Sequence, residues 1–273
     1  MHLNSFLNSR SATWLRAVLL GSSILGAELR AEDSLPTAAA MAASLSAGLQ
    51  DGSAVVRLKL DVRQPTAGGK TALQLQIKSR RTKTATELVY QILWPKERKG
   101  ESFLLRKTPG NSVSGSIFLL PNTLRPLTTA QLKEGIFGSD LTYEDLAENF
   151  YTWEHQTVVG TENIGRVACQ ILESKPGKGD NTSYSIVRSW IDPKKMVPMR
   201  VEKFVSGGQM ARRIETTRVA EDDTDRLVPA SFSVQRPGKD SVTELEGSKS
   251  RHGVTFTDAD FTPEGLKTMT TPK

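Results

Sequence analysis

The feature that most constrains this chain is a strict alternation of apolar and polar residues in its first half. Val56, Leu58, Leu60 and Val62 interleave with Val55, Arg57, Lys59 and Asp61, and Leu73, Leu75 and Ile77 interleave with Gln74, Gln76 and Lys78. Successive side chains of a strand point to opposite faces, so a period of two means one buried face and one wet face. The polar, glycine-containing stretch Pro65 to Lys70 between the two runs predicts a hairpin. Leu88, Tyr90, Ile92 and Trp94 continue the pattern until Pro95 stops it, and Phe103 and Leu105 fall on the next strand. Pro109-Gly110-Asn111 then turns the chain into a run from Val113 to Leu120. Here Val89, Leu93, Leu104, Phe118 and Leu120 make the second face apolar as well, so something must cover it.

The same cadence continues downstream. Between Thr142 and Ala220, strand-like runs are separated by turns at Gly160, Pro176-Gly177, Asp192-Pro193 and Gly207-Gly208. Later strands are expected to start near Trp153, Arg166, Thr182, Met199, Gln209, Val228 and Ser241. About a dozen strands, separated by turn signals every 8–15 residues or so, predict an antiparallel sheet and not βαβ units. Two helices interrupt it. The first, within Ser34 to Gln50, starts at a capping Ser34 with Pro36 in its first turn. It repeats Leu35, Ala38, Met41, Ala42, Leu45 and Leu49 at helical spacing. Its polar side holds Ser and Thr, not the Lys and Arg of membrane-surface helices, so it is expected to lie on an apolar surface of its own chain. In the second, Thr142 and Asp145 have capping-box spacing, and Tyr143, Leu146, Ala147 and Phe150 form one apolar side. Pro121 to Ser139 reads as loop.

Residues 1–31 read as a secretory leader. Arg10 and Arg16 supply positive charge, Ala17 to Ala27 is mostly apolar, and Leu29-Arg30-Ala31 is a tolerable cleavage site. The apolar run is roughly half the ~20 residues that a spanning helix needs. No Cys follows it, so no lipid anchor of the bacterial lipoprotein type is expected. Residues 32–273 are then expected to form one exported domain, periplasmic in a Gram-negative cell. The formal charge of +6 drops by two without the leader's three Arg and one Glu. This mild, diffuse excess, with no interleaved aromatic and basic residues, argues against nucleic acid.

Few residues could do chemistry. Cys169 is the only cysteine, so no disulfide forms within the chain, and it reads as a small buried hydrophobe. Gly69-Lys70-Thr71 resembles the end of a P-loop, but Gln64 stands where the motif's first Gly belongs, and a strand follows where a helix is needed. His155 and His252 have no second His or Cys at metal-ligand spacing, and Glu154 and His155 point to opposite faces of a strand. Ser112-Val113-Ser114-Gly115-Ser116 is a polar turn, not a nucleophile elbow. Glu87, Glu144 and Asp145 could form a catalytic pair only if folding brought them together. No catalytic residue, metal ligand or cofactor is expected.

An Ala/Leu helix leads into the strand Val55 to Val62, and Pro109-Gly110-Asn111 precedes Ile117-Phe118-Leu119-Leu120-Pro121-Asn122. The segment Leu141-Thr142-Tyr143-Glu144-Asp145-Leu146 is followed by Glu162-Asn163-Ile164-Gly165-Arg166-Val167-Ala168-Cys169. Tyr184 through Trp190-Ile191-Asp192, then Pro198-Met199-Arg200-Val201-Glu202, come next. Val254-Thr255-Phe256 and Phe261-Thr262-Pro263-Glu264-Gly265-Leu266 come last. In this order of elements the chain resembles the LolA-type lipoprotein carriers and the wider set of outer-membrane lipoprotein-sorting-like proteins of the LolA/LolB superfamily. None of Arg57, Arg63 or Arg80 aligns with the specific early-strand Arg of the carriers.

The resemblance implies a mainly β fold, a curved antiparallel half-barrel of about ten to twelve strands with lid helices. It implies acyl chains of lipids or lipoproteins as ligand, an inner-membrane transporter as donor, a monomer, and no chemistry. A strongly curved sheet whose inner face is apolar can leave a dry cavity that accepts acyl chains. Leu58, Leu60, Leu75, Ile77, Tyr90, Ile92, Trp94, Phe103, Phe118 and Trp190 are the expected lining, with Tyr143, Leu146 and Phe150 on the lid. The same pattern fits a filled core. The alternative functions are a ligand-free interaction module of the envelope, or an envelope hydrolase if His155 or His252 gathers with carboxylates in a pocket.

Overall fold

A computed structural model describes residues 35–49, 52–82, 85–108 and 113–268. The leader expected over residues 1–31 and the turn Pro109-Gly110-Asn111 lie outside these residues. Thirteen strands form one sheet: β1 (Ser53–Gln64), β2 (Gly69–Arg81), β3 (Thr86–Trp94), β4 (Ser102–Lys107), β5 (Val113–Leu119), β6 (Thr123–Pro126), β7 (His155–Ile164), β8 (Val167–Lys175), β9 (Tyr184–Asp192), β10 (Val197–Val205), β11 (Met210–Glu221), β12 (Leu227–Gln235) and β13 (Val242–His252). Short β6, in the stretch expected to be loop, takes the count above the expected dozen. The order across the sheet is β6-β5-β4-β3-β2-β1-β13-β12-β11-β10-β9-β8-β7. Every pairing joins sequence neighbours except β1 with β13, which are antiparallel. The sheet is curved but open, with β6 and β7 as its edges.

This topology makes a lid unavoidable. β6 and β7 are consecutive in sequence but lie at opposite edges, so the segment 127–154 must cross a face of the sheet. It does so as short turns and one helix, α2 (Tyr143–Ala147). Directly paired residues share a face, which lets that face be traced by register. Ile117, Phe103, Tyr90, Ile77 and Val56 stand in a row from β5 to β1. Leu73, Leu60, Leu245 and Phe232 form a row from β2 to β12. Val234, Ile214, Val201, Ser189 and Leu172 continue it to β8. We call this the inner face. Ile136, Leu141 and Tyr143 of the crossing segment are buried on its β1–β5 half, with Leu127, Leu132, Phe137 and Leu146 packed around them. Helix α1 (Ala38–Leu49) covers the other half with Met41, Ala42 and Leu45, beside Phe150, Tyr151 and Trp153. The hydroxyl of Thr37 accepts from Ala40 N–H at the start of α1; Ser34, the expected cap, lies outside the described residues. Leu35, expected on the apolar side of α1, precedes the helix and is 58% exposed. Among the described residues, no helix is long and apolar enough to cross a membrane.

The outer face also has an apolar patch, as the doubled apolar pattern required. Val89, Leu104 and Phe118 are covered by Phe261 and Leu266 from the C-terminal segment, with Phe256 packed beside them. The segment is held by an ion pair from Lys78 to Asp260 at 2.9 Å, and by the Ser102 hydroxyl donating to the Leu266 carbonyl at 3.0 Å. Arg80 reaches Asp258 and stacks 4.5 Å from the Phe261 ring.

Candidate functional site

The two covers of the inner face leave a gap between them. There β1, β13 and β12 floor a groove of about 360 Å3 with Val56, Leu58, Val228, Ala230, Phe232 and Leu245. This is at the small end of the ~300–1,000 Å3 usual for ligand pockets. Gly48, near the end of α1, closes one side, and Arg218, Glu221, Asp222, Arg226, Lys249 and His252 contribute to the rim. Arg218 donates to the Ser231 hydroxyl and the Gly247 carbonyl, which ties three strands together at the mouth.

At the rim His252 does meet carboxylates. Its Nδ1 bonds Asp223 and its backbone N–H donates to the same carboxylate at 2.7 Å. Ligand atoms of Asp222, Asp223 and His252 lie within 4.8 Å of one another, a spacing that one cation could bridge. The guanidinium of Arg226 already serves Asp222 at 3.1 Å and faces His252 Nε2 at 3.4 Å. Asp222 is held down to about 2: burial opposes this, but hydrogen bonds from Thr224 and Arg226 prevail. Ser250 gives its hydroxyl hydrogen to Asp223 and not to His252. Among the described residues the cluster is an ionic rim of the groove. His155 is exposed, 3.9 Å from Glu154.

The lid is anchored by its acidic residues. Asp145 caps its own helix through Thr142 and accepts from the Tyr184 hydroxyl at 2.6 Å. It also pairs with Lys203 at 2.8 Å and Arg212 at 3.3 Å. Lys203 and Arg212 are directly opposite each other across β10 and β11. Asp145 thus supplies the counter-charge to a like-charged pair. Burial alone would raise its pKa, but the two cations prevail and hold the carboxyl well below the usual range. Burial, then Asp145, pushes the Tyr184 phenol well above its ordinary value. Glu144 accepts from the Ser183 backbone N–H at 2.6 Å and from the Thr182 hydroxyl. Glu148 accepts from Trp153 Nε1 at 2.9 Å and from Lys107. Glu144 and Asp145 are thus fasteners between α2 and the sheet, each with its own partners.

The expected lining residues separate into three groups. Leu60, Leu75, Tyr90, Ile92 and Phe103 are buried together on the inner face, with Leu58 and Ile77 packed against them. Of the ten, only Leu58 lines the groove. The lid fills the rest: Tyr143 stands edge-on to Phe103 at 4.8 Å, Leu146 joins the same cluster, and Phe150 packs under α1. Phe118 and Trp190 must be corrected. Phe118 pairs in register with Ser102 and lies under the C-terminal segment on the outer face. Trp190 is in register with Ile171 and Arg200, donates to Glu162 at 2.8 Å, and also faces outward. Trp94 ends its strand half exposed, at 50%. Sequence reading missed Val228, Ala230, Phe232 and Leu245 as a floor. Their alternation was visible, but which strand would neighbour β1 was not. It also missed Lys203 and Arg212, which look like ordinary surface cations.

The model of a family described as uncharacterized protein-like matches residues 84–268. No curated protein matches the chain. Among solved structures, a DUF1329 family protein from Desulfovibrio piger is similar, with 19% identity, a TM-score of 0.77, and coverage of 84% of this chain and 97% of that one. A domain described as an outer membrane lipoprotein-sorting protein from Vibrio parahaemolyticus has 16% identity and a TM-score of 0.72, with coverage of 83% and 97%. A LolA superfamily protein from Nitrosomonas europaea has 16% identity and a TM-score of 0.66, with coverage of 83% and 98%. At these identities the likeness establishes the fold.

Proposed function

We propose, from the premise that this chain belongs to the uncharacterized protein-like family and has the LolA-type fold, that it is a periplasmic carrier. It would bind acyl chains of lipids or lipoproteins without changing them. The observation that carries this reading is the apolar-floored groove between two covers that are separate pieces of chain. One cover is α1; the other is the 127–154 crossing. Val56, Leu58, Phe232 and Leu245 would take the first methylenes, each worth about 0.8 kcal/mol on burial. Displacement of α2 would then open Leu60, Leu75, Tyr90, Ile92 and Phe103 to the rest of the chain. The Asp145, Glu144 and Glu148 contacts set the cost of that displacement. Cargo would come from a transporter in the inner membrane, and the carrier would act as a monomer.

Native mass spectrometry of the exported protein, followed by solvent extraction, tests the reading. A stoichiometric lipid or acylated peptide is expected, and so is uptake of an added fluorescent fatty acid. Leu58→Asp or Phe232→Asp should abolish uptake while the fold survives, because both positions are only partly buried. A clean apo mass with no uptake would replace the carrier with a ligand-free interaction module of the envelope.

A further inference from the structure

On the outer face, charged residues are mostly set opposite their counter-charges. Arg80 faces Glu87, Glu173 faces Arg188, Arg200 faces Glu215 and Glu202 faces Arg213, and Lys59 faces Glu246. Cations face each other at two places: Arg63 on β1 is opposite Lys70 on β2, with Glu244 and Asp61 beside them, and Arg57 on β1 is opposite Lys249 on β13, with Arg251 one step further along the same side. Like charges directly opposite each other weaken an antiparallel pair. On the inner face, the facing cations Lys203 and Arg212 hold the Asp145 carboxylate between them.

Arg57, Lys249 and Arg251 surround a depression of about 320 Å3 that also includes Gln76 and Asp223. Asp223, its one carboxylate, is engaged by the His252 backbone and ring. Glu246, the nearest acid along β13, faces Lys59. Arg57 and Arg251 have further contacts of their own; summed over the lining, three cations stand against one carboxylate.

We propose that this depression is a binding site for a phosphate-class anion, drawn by the positive charge of its lining. Guanidinium groups present paired donors that match phosphate oxygens, and Lys249 adds a point charge. The same chemistry is offered by free phosphate and by the headgroup of an anionic lipid. The depression lies on the outer side of β1 and β13, shares Lys249 and Ser250 with the rim of the inner groove, and does not depend on the carrier reading.

The full chain would be titrated with inorganic phosphate by calorimetry at low ionic strength. It would also be sedimented with vesicles of phosphatidylglycerol and phosphatidylcholine, and of phosphatidylcholine alone. Phosphate should bind, and salt should weaken the binding steeply. Binding to the anionic vesicles as well would identify a headgroup site; phosphate binding without vesicle binding would identify a free-anion site. Arg57→Glu turns the like-charged pair into an opposite one. It should keep or raise the melting temperature while weakening anion binding about tenfold or more. Lys249→Gln should weaken binding in the same direction. The proposal is overturned if neither probe binds the native chain, or if both variants bind as well as it does. Leu58→Asp should leave anion binding unchanged.

Discussion

Asp145 is the residue on which the lid depends most. Its carboxylate neutralises Lys203, whose side chain is 2% exposed, and Arg212 beside it. Asp145→Ala leaves both cations buried without a counter-charge, and a loss of about 3–5 kcal/mol is expected in urea denaturation. The acid limb of stability follows from the same chemistry. Asp145, Asp222 and Glu173 all have folded pKa values below their ordinary ones. Glu173 is lowered against the effect of burial by Lys175 and Arg188. The stability that such groups contribute is complete above their ordinary values of about 4. It is lost as pH falls through the folded values, which for Asp222 is about 2. A circular-dichroism titration should therefore show the fold holding down to about pH 4 and weakening steadily below it. Asp145→Asn should flatten that limb. Cys169, 1% exposed and with its thiol pushed up by burial, should resist alkylation until denaturant is added.

At the scale of elements, the C-terminal segment is the cover that the doubled apolar pattern of β3–β5 called for. Phe261, fully buried, seals Val89, Leu104 and Phe118. Phe261→Ala should cost about 3–5 kcal/mol and raise binding of a hydrophobic dye, while leaving fatty-acid uptake on the other face in place. A dye response without a stability loss would mean that the segment is a loose flap. Both helices and every strand but β6 were legible because each has a local signal: period two, helical spacing, a capping box. The need for an outer cover was legible too. The covering segment was not, since Phe261 and Leu266 touch residues about 150 positions away, and no local pattern encodes that meeting.

At the scale of the whole molecule, the sheet is closed in the middle by β1 and β13, whose partners Leu60 and Leu245 are 185 residues apart. Such long loops are closed before their contacts repay the entropy, so stopped-flow refolding should be slow, in the millisecond-to-second range or beyond. A ligand that binds the native inner face should stabilise it by about 2.7 kcal/mol at a hundred times its Kd. Thermal unfolding with and without fatty acid checks this. The native chain should shift and Leu58→Asp should not; equal shifts would place the ligand elsewhere.

By itself, the sequence determined the fold class, the strand cadence, the apolar character of both faces of the early strands and the presence of a capped lid helix. These follow from steric and hydrophobic periodicity within ten residues or so. Only tertiary structure decided which face each apolar residue serves, and that Phe118 and Trp190 point outward. It also decided that Lys203 and Arg212 meet around Asp145, and that Arg57 and Lys249 face each other. Each of these depends on the register between strands distant in sequence. A shift of one residue in that register exchanges the faces, so the sites emerge only when the whole sheet has closed.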